Sequence, residues 1–281
     1  MYVGFELNDY NFLTKPDEFD LKEFKEQARG RHDELSSYLM GTFKNKNVID
    51  ARKISEAIFP PRQADIFLSH SRADENKAIE LAVSLQSKGL NVFVDSCTWG
   101  YFHELLKGLN EIYAEPVRNG GRTVYDYRKA TELTAAIHMM LTGALHSMIK
   151  RSEIFIFLNT ENSVPVKTYQ CIDRTFSPWI YSELQFSFHV EIDAPKRRLQ
   201  IANESYAGRL TKSTASVRSD AVFAFEAFNR HLPKVTGTQM KDWYDKSHLS
   251  SEELISGEAV LDALYDTLGI EKKFFDLKYR Q

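Results

Sequence analysis

The stretch SPWIYSEL, residues 177–184, sets an indole and a carboxylate at a spacing that could do chemistry. Ser177 followed by Pro178 opens a helix, since a hydroxyl caps the first free N–H groups and proline has no N–H to leave unsatisfied there. In that helix Trp179 and Glu183 stand one turn apart on one face. The plain reading is a packed tryptophan beside a solvated glutamate. The sharper one is an aromatic substrate platform beside a catalytic group.

Other polar and aromatic residues follow short apolar runs. Ser69, His70, Ser71 and Arg72 come after Ile66-Phe67-Leu68; Asp95 to Tyr101, with Trp99 among them, come after Val92-Phe93-Val94; Asn159 to Ser163 come after Ile154-Phe155-Ile156-Phe157-Leu158. Such runs make strands buried on both faces of a parallel sheet, and open α/β sheets bind ligands at the carboxyl ends of their strands. Each polar loop alone is explained by its being wet. Their convergence on one edge is the stronger signal.

The elements that must hold these residues are partly legible. Asp74 caps a helix with Ile79, Ala82, Val83 and Leu85 inward, and Gly89 ends it, so the first two runs form a β-α-β unit. Between 96 and 128 we read an aromatic loop (Trp99, Tyr101, Phe102), a short helix over 103–113 and a turn at Asn119-Gly120-Gly121. A helix over 130–150 aligns Leu133, Ile137, Leu141, Leu145 and Ile149. Residues 17–58 read as helical, with Leu21, Phe24, Ala28, Leu35 and Leu39 on one face, Asp20 and Glu23 as a capping box, and a second helix carrying Val48, Ala51, Ile54 and Ile58. Pro60-Pro61 ends this flank. A fourth strand is expected at 190–192 or 199–201, a helix over 220–231, and a last helix from Ser250 to Gly269.

Bulk properties exclude several classes. With 43% hydrophobic and 27% charged residues the chain is globular, and a net charge of −3 offers no general attraction to nucleic acid or acidic membranes. No apolar run approaches a membrane span, and MYVGFELNDY lacks the basic-then-apolar pattern of a signal peptide. Two cysteines, Cys97 and Cys171, suit a reducing compartment, so a cytoplasmic location is expected. No phosphate-binding glycine loop, H-E-x-x-H or paired C-x-x-C is present, and His138 and His146 are two turns apart, too far for a ligand pair. No metal site is expected.

Four stretches in order, FLSHSRAD (67–74), VFVDSCTW (92–99), SEIFIFLNTENS (152–163) and SPWIYSEL, resemble the motifs of bacterial Toll/interleukin-1 receptor (TIR) domains. The resemblance covers roughly 65–192, with longer segments than the family pattern at 100–129 and 159–176. It implies a flavodoxin-like, doubly wound parallel sheet with helical flanks: a helical extension over 1–62, the α/β domain over 63–232 with an insertion around 100–129, and a helical segment over 233–281.

In catalytic TIR domains the glutamate of this helix is essential for cleaving NAD between nicotinamide and ribose, and the resemblance gives that role to Glu183. Nicotinamide departs from a nitrogen that is already cationic, so no general acid is needed and one carboxylate beside the ribosyl centre suffices. By the same resemblance Trp99 and Phe67 are candidates to stack on a base, and Ser69, Ser71, Arg72, Asp95 and Trp179 to line the site. The guanidinium of Arg72 suits a pyrophosphate. NAD is then the substrate and no cofactor is required. Self-association, an upstream trigger or downstream effector, and a place in bacterial anti-phage defence or signalling are further implications. A non-catalytic TIR scaffold and a nucleoside deoxyribosyltransferase-like enzyme are the alternatives.

Overall fold

A computed structural model describes residues 1–11, 15–28, 38–43, 46–59, 64–119, 122–169, 172–198, 223–247 and 256–279. The chain forms two compact units, Met1–Leu21 with Gln63–Val94 and Ile149–Gln281, and Lys22–Arg62 with Asp95–Met148.

The first unit is built on a five-stranded, all-parallel sheet in the order β12-β1-β8-β4-β5, flanked by helices as in flavodoxin-like folds. Its strands are β1 (Val3–Asn8), β4 (Ile66–Ser69), β5 (Val92–Val94), β8 (Ile154–Asn159) and β12 (Lys234–Thr236). Every residue of β4 and β8 is buried, as expected of apolar runs covered on both faces. Between β4 and β5 lies α3 (Glu75–Gln86), which buries Ile79, Ala82 and Leu85 as its spacing predicts, with Ala78, Leu81 and Ser84 beside them. Gly89 takes φ +80° at the turn into β5.

The expected fourth strand at 190–192 is not formed, and 199–201 lies outside the described residues. The missing strands are β1 and β12. β1 fills the position between β8 and β12, so the stretch 1–62 is not only a helical extension and 233–281 is not only helical. The signal in β1 is the alternation Val3, Phe5, Leu7 against Gly4, Glu6, Asn8. Gly4 sits in close packing, since a Cβ there would stand 2.9 Å from Leu232 Cδ2 and 3.4 Å from Phe274, and the Leu232 side chain would have to shift.

Within 159–176, expected as a loop, β9 (Val166–Tyr169) pairs antiparallel with β10 (Ile172–Thr175). Against β10 lies β11 (Phe225–Glu226), where a helix over 220–231 was expected. The Phe225/Phe228 spacing is answered by Tyr181, whose ring stacks on Phe225 at 4.9 Å and meets Phe228 at 6.3 Å. After β12 come α7 (Gly237–Lys246), α8 (Gly257–Leu268) and α9 (Ile270–Tyr279). α8 starts at a Ser256 cap rather than at Ser250 and ends, as read, at Gly269 with φ +57°. Residues 250–253 lie outside the described residues.

The second unit joins the flank to the expected insertion. α1 (Glu18–Ala28) begins in the first unit and is capped by Asp17, whose carboxylate accepts from the Asp20 N–H at 2.8 Å, not by Asp20. The helical reading of 17–58 fails at 39–49, and 29–37, with Leu35 of the expected face, lie outside the described residues. β2 (Leu39–Phe43) and β3 (Lys46–Ile49) pair as a hairpin whose register shifts at Gly41, held at φ +131°. α2 (Ala51–Ile58) then buries Ile54 and Ile58 as expected. The aromatic loop is instead the first turns of α4 (Ser96–Tyr113), which packs on α2. β6 (Val117–Asn119) pairs antiparallel with β7 (Arg122–Val124), with Asn119 opposite Arg122; Gly120 and Gly121 of the expected turn lie outside the described residues. α5 (Tyr127–Arg151) leads back to the sheet and buries Ile137, Leu141, Leu145 and Ile149.

Candidate active site

Strand order fixes where a ligand can enter. From β4 the chain continues outward to β5, whereas β8 leads the opposite way to β12. Connections that leave neighbouring strands in opposite directions open a crevice at their carboxyl ends, the switch point where α/β sheets bind ligands. Ser69 ends β4 and Asn159 ends β8.

α6 (Pro178–His189) packs on β10 and β11 and meets the end of β4. The Ser177 hydroxyl accepts from the Ile180 N–H at 3.2 Å and Pro178 occupies the first turn, as the sequence requires. The inner face is Ile180, Glu183, Leu184 and Ser187, at the 3/4 spacing of a packed helix. Glu183 is therefore turned into the protein, and its exposure is 0%. The Ser69 hydroxyl donates to Glu183 Oε2, joining the end of β4 to the middle of α6. A buried carboxylate is tolerated only where hydrogen bonds replace its water, and Ser69 supplies one of them.

A second polar cluster lies beside the first. Ser69, Phe157, Glu6 and Lys234 share one row across the sheet, so Ser69 and Glu6 project from the same face. Glu6 has 0% exposure and accepts from Asn229 Nδ2 at 2.8 Å, Asn8 Nδ2 at 3.2 Å and Asn159 Nδ2 at 3.3 Å, with Lys234 Nζ at 3.6 Å. The loop after β8 is fastened separately: Thr160 Oγ1 and Asn162 Nδ2 donate to the buried Asp74 at 2.5 and 3.0 Å. That bond set ties the loop to the start of α3.

The sequence-derived candidates divide accordingly. Glu183 and Ser69 are brought together. Ser71 and the exposed Arg72 follow at the same strand end, in a short 3-10 turn over Arg72–Asp74. Trp179 is half-buried in the first turn of α6. Phe67 is a core residue, not a ligand platform: it is fully buried, stacks on Phe155 at 5.8 Å and lies tilted against Phe93 at 5.5 Å. Asp95, buried, and Trp99, helical rather than in a loop, belong to the second unit. Sequence reasoning missed Glu6 and Asn229, because nothing local relates residues 223 positions apart.

Among the described residues no group of three or more His, Cys, Asp or Glu is placed to hold a metal ion, and no helix is long and apolar enough to cross a membrane. Deeper in the same unit, the Ser187 hydroxyl meets His231 Nε2 at 3.0 Å, and burial holds that imidazole well below its usual pKa. The ring is neutral and stands against Phe188 and Phe274 in the core. Set against family models, curated proteins and solved structures, the chain matches none.

Proposed function

We propose that this chain cleaves NAD between nicotinamide and ribose, releasing nicotinamide and either ADP-ribose or a cyclised isomer, with Glu183 as the catalytic carboxylate. One observation carries the reading: a buried carboxylate, oriented by Ser69, at the switch point of a flavodoxin-like sheet. The C1′–N bond breaks with its electron pair going to the pyridinium nitrogen, which becomes neutral, so no proton donor is needed. The carboxylate stabilises the oxocarbenium-like ribosyl centre, and does so best in a site that excludes water. Water then attacks C1′ and loses a proton to give ADP-ribose; attack by a nitrogen of the adenine gives the cyclic product. Ser71 and Arg72, at the end of β4, are the groups suited to ribose hydroxyls and pyrophosphate. As the TIR resemblance implies, self-association opens and completes the site, so specific activity rises with enzyme concentration.

The scaffold reading is favoured by a single observation, that Glu183 is closed from solvent in this structure. A carboxylate that only packs would stay closed. Nicotinamide release from NAD, measured over a range of protein concentrations with and without a crowding agent and beside Glu183→Ala, separates the two. Release abolished by the substitution supports the enzyme. Release absent from the wild type at every concentration, or unchanged in Glu183→Ala, removes it.

A further inference from the structure

We infer that Asn159 is the hydrogen-bond acceptor for a ribosyl hydroxyl of the ligand in the β4/β8 crevice, and that Glu6 is the positioning residue that fixes it in that role. The identity of the ligand rests on the glycohydrolase reading; the acceptor itself rests on geometry.

Asn159 is 8% exposed, and its Nδ2 donates to Glu6 Oε2 at 3.3 Å. Glu6 accepts from this amide as it does from those of Asn229 and Asn8, so the Asn159 N–H₂ is turned toward Glu6 and its oxygen away. That oxygen is buried and receives no hydrogen bond from any described residue. A buried acceptor left without a donor is uncommon and costs of the order of 1–3 kcal/mol, which points to a donor that arrives from outside. Were the cluster only a polar seal at the end of the sheet, Asn159 would be expected to use both halves of its amide internally.

Position names the donor. Asn159 is on the same face as Ser69, one strand across and two residues nearer the edge, because Ser69 pairs with Phe157. Strand spacing and rise put their Cα atoms about 8 Å apart. Ser69 in turn bonds Glu183. The acceptor and the catalytic carboxylate, linked through Ser69, therefore lie at the same strand end on one side of the crevice. A ribose whose C1′ faces Glu183 would turn its hydroxyls toward the Asn159 side. Holding that hydroxyl would also orient the ring for loss of nicotinamide.

The test is binding of NAD, and of analogues lacking the 2′- or the 3′-hydroxyl of the nicotinamide ribose, to full-length protein carrying Glu183→Gln so that ligand is not consumed. One analogue should bind about tenfold more weakly than NAD, since a buried acceptor is left unpaired. Asn159→Ala should reduce NAD to the affinity of that analogue and leave the analogue unchanged. Glu6→Gln lets the amide turn over with Asn159 intact, because a glutamine can donate to the Asn159 oxygen; the Asn159 N–H₂ then faces the ligand. A fluoro analogue, which accepts but cannot donate, should therefore bind as weakly as the deoxy analogue before that change and close to NAD after it. That near-isosteric change carries the test if Asn159→Ala does not fold. A hydroxyl preference that survives Asn159→Ala, a fluoro analogue that Glu6→Gln does not rescue, or no preference at all, overturns the inference. Nicotinamide release by the wild type is read alongside. Release with a preference that neither substitution moves sinks the inference alone. No release, with an Asn159-dependent preference intact, sinks the glycohydrolase reading alone. No binding of any of these ligands sinks both.

Discussion

Ser69→Ala should destabilise the sheet unit, and should do so much less once Glu183 is a glutamine. In the wild type the Ser69 hydroxyl donates to a carboxylate with no exposure to water. Removing it takes a charge-assisted hydrogen bond from a buried anion, which is worth about 1.5–3 kcal/mol. Glu183→Gln keeps the shape and an acceptor oxygen but removes the buried charge, so this change alone should leave stability level or raise it. In that background Ser69→Ala breaks only a neutral hydrogen bond, worth about 1 kcal/mol. The coupling between the two positions is then about 0.5–2 kcal/mol. The assay is urea unfolding by far-UV circular dichroism on the four proteins, with the slope against urea unchanged across the set. Effects that add to within about 0.5 kcal/mol would mean that Ser69 does not hold the Glu183 carboxylate, and the site as drawn would be wrong.

Two further outcomes follow from other parts of the sheet unit. Lys278 Nζ donates to the Ser187 and Val190 carbonyls at 2.9 and 2.6 Å, and burial lowers its pKa from 10.5 to about 8. Between those values the unfolded chain binds more protons than the native one, so stability should rise with pH, by about 2 kcal/mol from pH 8 to 9.5. Burial and the neighbouring carboxylates of Glu271 and Glu153 push the Tyr2 and Tyr265 hydroxyls up, so stability should fall again above about pH 10. Chemical denaturation across this range checks both limbs, and a rise that persists undiminished in Lys278→Met would assign it elsewhere. Gly237→Ala should lose about 2 kcal/mol, although alanine adds up to about 1 kcal/mol within a helix, because its Cβ would stand 2.4 Å from the Asp9 carbonyl oxygen and 3.0 Å from Tyr10 Cα. Thermal unfolding no lower than the wild type would refute the close seating of α7 against the end of β1.

Whatever is written in neighbouring residues was legible before folding. Ile66–Ser69, α3, Val92–Val94 and Ile154–Asn159 were legible as a β-α-β unit and a buried strand, because a short apolar run between turn signals has few other uses. The start of α6 was legible because Ser177 and Pro178 satisfy the first helical turn locally, and the 3.6-residue period then turns Glu183 toward the sheet. Only the tertiary structure decided how distant segments pair. β1 joins β8 across about 150 residues of chain, and no local pattern in Val3–Asn8 names that neighbour. The β2–β3 and β9–β10 pairs broke helical or loop readings because pairing outweighed weak local preference. Burial of Phe67, which removes it from the site, depends on Phe155 and Phe93 closing over it from the adjacent strands. The polar cluster around Glu6 is of the same kind. Asn8, Asn159 and Asn229 come from three separate stretches, and only parallel pairing in one register brings their amides to a single carboxylate.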